Sequence, residues 1–192
     1  MSSEAAAKLE HFRIDAAAST FTAQAFAEGL FSAFGHDPII GIKEFEGHAE
    51  FVAGTFANAS LKITVRADSL AVVNDVKEKD RHEIERMMRE EVLETGQYPE
   101  IVFESNNIVL SRSGKDRYRA RVIGELALHG VTQKNLWLNG EVVMIPEGLR
   151  VTGDFAVKQK DFNIKLVSVA GGTLKIKNEV KCSFEILARN AS

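Results

Sequence analysis

Cysteine is almost missing from this chain: Cys182 is the only one in 192 residues. An internal disulfide framework is excluded, and a reducing compartment suits the composition. Nor is there a surplus of charge of one sign. The formal net charge is -3 and the pI about 6.0, so nothing marks a nucleic-acid or anionic-membrane surface. No run approaches the ~18 consecutive apolar residues of a membrane helix, and no membrane insertion is expected. Residues Met1 to Glu10 lack both a basic n-region and an apolar h-region. No secretory signal is visible there, and a cytoplasmic location is the expectation. Recognisable chemistry is equally scarce. No Gly-rich phosphate loop, nucleophile elbow or paired-carboxylate segment occurs. His11, His36, His48, His82 and His129 show no tight ligand spacing, so no metal is expected.

What is present is alternation. From Leu174 to Ile186 the even positions read Leu, Ile, Asn, Val, Cys, Phe, Ile, and the odd ones Lys, Lys, Glu, Lys, Ser, Glu. Successive strand side chains point to opposite faces, so this is a long strand with one apolar and one wet face. The same alternation runs through Leu149–Val157, Leu61–Val65 and, imperfectly, Tyr118–Leu128. Leu136–Ile145, Ile101–Phe103 and Ile108–Leu110 are also β-rich. Ser113-Gly114-Lys115-Asp116, Pro146-Glu147-Gly148 and Gly171-Gly172 supply turn residues between them. Strands with one apolar face must pack two sheets or close into a barrel. Long Lys, Arg and Glu side chains at alternate positions are costly in a narrow lumen and cheap in water, so the apolar face points in. The chain length suits one domain, read here as an N-terminal extension at 1–11 followed by an all-β barrel at 12–190.

One segment breaks the pattern. Lys77 to Gln97 is dense in helix formers and charge, with Ile84, Met87, Met88 and Val92 on one side. Asn74 or Asp75 is the expected N-cap, and Gly96 followed by Pro99 the expected stop. Such a helix covers a barrel mouth or a sheet edge. Its methionines suit either ordinary packing or an adaptable lid over an apolar ligand.

Several segments resemble the YceI-like family of bacterial lipocalin-like, polyisoprenoid-binding proteins. They are Phe12-Arg13-Ile14-Asp15, Phe34-Gly35-His36-Asp37, Lys79 to Ile84, Tyr98-Pro99-Glu100-Ile101-Val102-Phe103-Glu104-Ser105, Gly124 to Thr132, and Lys160-Asp161-Phe162-Asn163. The Tyr98 and His129 segments are the most specific, and the set spans nearly the whole chain. The resemblance implies an eight-stranded antiparallel barrel with a long apolar cavity, a helix beside it, and binding of isoprenoid quinones or polyprenyl chains. The chain departs from the family at Ala16-Ala17-Ala18-Ser19, where a His-Ser pair is common. It departs again at Asn135, where many members have proline, and at Asn163 in place of glycine.

The leading functional expectation is non-catalytic binding, carriage or sequestration of a long-chain apolar amphiphile in the lumen: a polyisoprenoid, an isoprenoid quinone or a fatty acyl chain. The expected lining is Phe21, Ile63, Phe103, Val122, Gly124, Leu126, Leu128, Phe155, Ile176, Val180 and Phe184, with Ile84, Met87, Met88 and Val92 as lid. Small residues thin this face: Ala120 and Gly124 on one strand, Ala23, Ala25 and Ala27 on another. On that reading Gly124→Leu blocks uptake and leaves the barrel folded. A solid, interdigitated core is the competing outcome. His36-Asp37 reads as a turn, His129 as the end of a strand with its ring on loop backbone, and Cys182 as a buried apolar residue. No cofactor is expected, a quinone or other lipid entering only as ligand. A barrel enzyme acting on an apolar substrate and a stress-related partner-binding module are the alternatives. A homodimer is one assembly open to the chain.

Overall fold

Alternating apolar and charged side chains favour paired strands, and pairing continues until the ladder closes on itself. The computed structural model describes residues 8–28, 37–169 and 174–191. Its strands are β1 (Leu9–Ile14), β2 (Thr20–Glu28), β3 (Ile39–Ile42), β4 (Phe45–Val52), β5 (Ser60–Arg66), β6 (Leu70–Val72), β7 (Glu100–Gly114), β8 (Arg117–Leu128), β9 (Val131–Ile145), β10 (Gly148–Lys158), β11 (Ser168–Val169) and β12 (Leu174–Asn190). Eight of them form a closed antiparallel barrel in the order β1-β4-β5-β7-β8-β9-β10-β12. The ladder returns to β1 through Phe12 opposite Asn190 and Ile14 opposite Ala188.

Three strands of this barrel are broken at one level. β1 and β2 both pair with β12, on either side of a 3-10 turn at Ala16–Ala18. β3 and β4 are two lengths of one path separated at Lys43–Glu44, and β5 and β6 are separated by a second 3-10 turn at Ala67–Ser69. Ser69 stitches two of the breaks together: its hydroxyl accepts from the Glu44 N–H (3.0 Å) and donates to the Arg66 carbonyl (2.7 Å). Below the breaks β1, β4 and β5 belong to the closed barrel. Above them β2, β3 and β6 continue as a flap. β7 begins at Glu100, opposite Arg66, so among the described residues β6 has no strand on its outer side.

The helix α1 (Glu78–Met87) fills that gap. An exposed strand edge presents unpaired N–H and C=O groups, and here one turn of helix supplies both partners. Arg81 donates to the Val72 carbonyl (2.5 Å), and the Val72 N–H donates to Glu85 Oε1 (2.9 Å). Arg81 also reaches the Asn74 carbonyl (3.2 Å). Spaced i and i+4, Arg81 and Glu85 lie on one helix face and act as a substitute strand.

The other end of the barrel is stopped by a cluster of aromatic rings. Phe12 stacks on Phe51 at 5.0 Å, Phe51 meets Phe56 at 5.2 Å, and Phe56 meets Tyr118 edge-on at 4.7 Å. Phe12 and Phe51 are buried.

Three sequence expectations about the fold need correction. Residues 9–11 are no extension, because β1 starts at Leu9 and pairs with β4 from there. The β-rich segments Ile101–Phe103 and Ile108–Leu110 do fall in strand, both of them in β7, which absorbs the polar stretch between them as a register shift at Ser105/Asn107. Neither Asn74 nor Asp75 caps the helix. Asn74 is occupied elsewhere, accepting from the Ile39 N–H and donating to the Asp37 carbonyl, and the cap position is Lys77 without a side-chain bond. The helix also stops short of Gln97. A π-helical turn at Met88–Val92 follows α1, and Glu94 at φ 46 ends it without the help of Gly96. Turns at Lys115-Asp116 and Pro146-Glu147 fall as expected between β7, β8, β9 and β10. His36 and Gly171-Gly172 lie outside the described residues.

Candidate functional site

The inward faces enclose a cavity of about 680 Å³, within the roughly 300–1,000 Å³ typical of small-molecule sites. Every strand of the expected lining contributes. Phe21 of β2, Ile63 of β5, Phe103 of β7, and Val122, Leu126 and Leu128 of β8 reach it, as do Phe155 of β10 and Ile176, Val180 and Phe184 of β12. The even positions of β12 continue the wall through Cys182, Ile186 and Ala188. Phe21, Phe155 and Phe184 lie within 6.2–6.3 Å of one another, centroid to centroid. Asn178, the polar interruption, sits within the β12 register shift and accepts from the Lys160 N–H (2.9 Å).

Gly124 alone among these residues does not face the space. A Cβ there would run into the Glu104 carbonyl and stand 2.5 Å from Cζ of Phe103. The glycine is the seat of the Phe103 ring, so its thinness is already filled. Gly153 seats the Phe184 ring in the same way, 2.6 Å from its Cζ. The thin wall comes instead from Ala23, Ala25, Ala49, Ala120 and Gly140, which do line the cavity. Gly124→Leu therefore threatens the fold before it blocks the lumen, contrary to the expectation.

Ile84, Met87, Met88 and Val92 roof the cavity. The π turn adds Leu93, whose N–H bonds the Met88 carbonyl five residues back (2.9 Å). An even 3.6-residue period would carry Leu93 off the stripe, which is why periodicity missed it. Ile40 and Leu70, from short strands with too few residues to show alternation, were missed as well.

The two most distinctive sequence segments meet where the roof ends. His129 and Gly130 form the two-residue turn between β8 and β9, with φ of 51 and 72. The Tyr98 ring lies over Gly130, where a Cβ would be 2.6 Å from Cε1, and 4.6 Å from the His129 ring. His129 Nδ1 is 3.1 Å from the Phe162 carbonyl, the loop-backbone contact expected of it, and Nε2 is 2.6 Å from Glu94. Glu94 is the residue that ends the roof, so this histidine fastens the roof to the barrel rim. Asn163, in the left-handed region at φ 57, turns the chain after Phe162. Asparagine tolerates that conformation better than most residues, which accounts for its standing in place of glycine.

On the cavity lining the charged side chains are Asp80 and Glu83, both on the helix. Burial pushes the Cys182 thiol up to about 12, so it lies protonated in the wall. Arg86 hydrogen-bonds Glu83 at 2.8 Å and holds that carboxyl below the usual range. Among the described residues no group of three or more His, Cys, Asp or Glu is placed to hold a metal ion. No helix of the described residues is long and apolar enough to cross a membrane.

This architecture is shared with solved structures. Burkholderia cenocepacia BcnA superposes with a TM-score of 0.67 at 18% identity, covering 90% of this chain and 98% of that one. A polyisoprenoid-binding domain from Saccharophagus degradans, implicated in plant cell wall breakdown, gives 0.65 at 14% identity, over 95% and 99%. The Campylobacter jejuni YceI protein gives 0.59 at 15%, over 82% and 87%. No curated protein matches the chain in sequence. The profile of the YceI-like domain matches residues 12–188, and with the closed barrel, its helical roof and the meeting of the Tyr98 and His129 segments, the chain belongs to the YceI-like domain family.

Proposed function

We propose that this protein binds a long-chain apolar amphiphile in its lumen and carries or sequesters it without chemically changing it. The observation that carries this reading is the cavity itself: about 680 Å³ of almost wholly apolar space running down the barrel under a methionine-bearing roof. A solid core would leave no such volume in an interior packed like an organic crystal. Each buried methylene contributes about 0.8 kcal/mol, so about eight would supply roughly 6 kcal/mol before ordering costs, equivalent to a Kd of tens of micromolar, and a longer chain correspondingly more. Methionine suits a roof over a flexible chain, because its unbranched thioether adapts to irregular shapes. A prenyl chain is favoured by the similarity to a polyisoprenoid-binding domain. The one thiol among the described residues of the lining, Cys182, lies protonated and so unreactive.

Native mass spectrometry of the purified protein, with organic extraction, tests the proposal. The expected result is an adduct of lipid mass released on denaturation. A protein that is consistently ligand-free and binds no fluorescent prenyl or fatty-acyl probe would overturn it.

A further inference from the structure

From Lys158 to Lys181 the sequence holds six lysines against two carboxylates, Asp161 and Glu179, in a chain of net charge -3. The fold gathers this stretch on one side of the upper end: the end of β10, a 3-10 turn at Gln159–Phe162, and the first half of β12. Lys158, Lys160, Lys165, Lys175, Lys177 and Lys181 are all exposed. Each stands next to a residue that lines the cavity: Val157, Gln159, Ile164, Ile176 or Val180. The lysines are the outer face of a wall whose inner face is the lumen.

These lysines are not neutralised in place. None of the six makes an ion pair among the described residues, although Glu179 stands opposite Lys158 and Glu28 opposite Lys175 in the ladder. Cations lower on the wall do: Lys62 with Glu104, Arg117 with Glu141 and Arg150 with Glu185. Beside the lysines lies the only tryptophan of the chain. Trp137 sits between Leu136 and Leu138, which line the lumen, so its indole is on the outer face, where it is 54% exposed. It lies two residues nearer the mouth than Asn139, which opposes Asp154 of β10. Its partner on β8 is the half-buried Ile123, and Ala156 of β10 opposes Lys181.

From this we infer that the β9–β10–β12 side of the mouth docks on an anionic lipid bilayer, with the lysines on the headgroups and Trp137 at their level. An indole settles at the boundary between water and hydrocarbon, and clustered lysines are drawn to anionic headgroups. A second copy on the same patch would set lysine against lysine. A nucleic acid would satisfy the charge without giving the indole an apolar neighbour layer. The inference is drawn from the outer surface and goes beyond the reading of the lumen, to which it adds the place where a chain enters and leaves.

The test is co-sedimentation with vesicles at low salt, followed in parallel by the emission of Trp137. Vesicles of equal parts phosphatidylcholine and phosphatidylglycerol are expected to bind at least about tenfold more tightly than phosphatidylcholine alone, a difference of about 1.4 kcal/mol. The emission is expected to shift to the blue on binding, and added salt to release the protein. Lys175→Glu with Lys177→Glu is expected to weaken binding at least about tenfold, and Lys62→Glu with Lys115→Glu to leave it within about twofold. Trp137→Ala is expected to weaken it several-fold. Equal affinity for the neutral vesicles, equal loss in the two double variants, or unchanged binding in Trp137→Ala overturns the inference. So does tighter binding to a single-stranded oligonucleotide than to the mixed vesicles, or a dimer in solution that Trp137→Ala abolishes. A protein that releases lipid on denaturation but binds no vesicles overturns this inference and leaves the amphiphile reading standing. One that docks yet is empty and takes up no apolar probe does the reverse.

Discussion

The two ends of the barrel are built from the same alternating strands and finish in opposite states. At the lower end the ladder is continuous and Phe12, Phe51, Phe56 and Tyr118 pack ring against ring. At the upper end three strands break at one level, β6 loses its neighbour, and Arg81 and Glu85 of the helix take the place of a strand. The hollow is not confined to the helix-bridged end: it runs down into the closed ladder, where Ile14, Ala49, Leu61, Leu149 and Ala188 line it, and stops at the ring cluster. The lower end is a plug of rings, and the upper end is a doorway held by a few polar contacts.

The largest expected effect separates the two ends. Phe51→Ala opens the aromatic plug and is expected to lower stability by about 3–5 kcal/mol, read from the midpoint of urea unfolding, while the folded fraction still takes up an apolar probe. A loss below about 1 kcal/mol, or an equal loss of uptake, would mean the plug and the doorway are one unit. Next is Gly124→Leu, which displaces the Phe103 ring from its seat. It is expected to cost about 1–3 kcal/mol through overpacking, and wild-type stability with blocked uptake would restore the simpler view that this glycine keeps the lumen clear. Arg81→Ala is smaller and local, about 1 kcal/mol for a lost charged hydrogen bond at a half-exposed edge. Hydrogen exchange of amides in β6 and α1 should accelerate, with the amides of β12 unchanged.

The smallest effect concerns acid. Arg189 donates to Asp15 at 2.7 Å and lowers its carboxyl from the ordinary value of 3.8. A group whose pKa is depressed on folding stabilises the fold above its ordinary value and loses that contribution as pH falls through the lowered one. Arg189→Ala should therefore flatten a small loss of stability below about pH 4, and the titration slope of thermal unfolding between pH 5 and 2 will show whether it does.

Much of this was written in residue order. The period-two pattern of Leu174–Ile186 is local chemistry, and it assigned both the strand and its inward face. The same holds for Ile63, Val122, Leu126, Phe155 and Phe184, whose neighbours in sequence carry the charge. Gly124 shows the limit. A missing side chain reads as space, but Phe103 occupies it from the adjacent strand, and no periodicity within β8 reveals what β7 lays across it. Leu93 was hidden for a related reason, since the π turn that brings it under the roof is a departure from the helical period. The capping of the Val72 edge by Arg81 and Glu85 could not be read at all, because any charged helix offers such pairs.

The sequence by itself determined that the chain forms strands with an apolar interior and a charged exterior, and that one amphipathic helix interrupts them, because these follow from side-chain alternation and local propensity. Only the tertiary structure decided that the interior is hollow, roofed by a helix at one end and stopped by a cluster of rings at the other. That depends on where the ladder breaks, which strand loses its partner and which rings fall onto which glycines, all of them contacts between residues far apart in the chain.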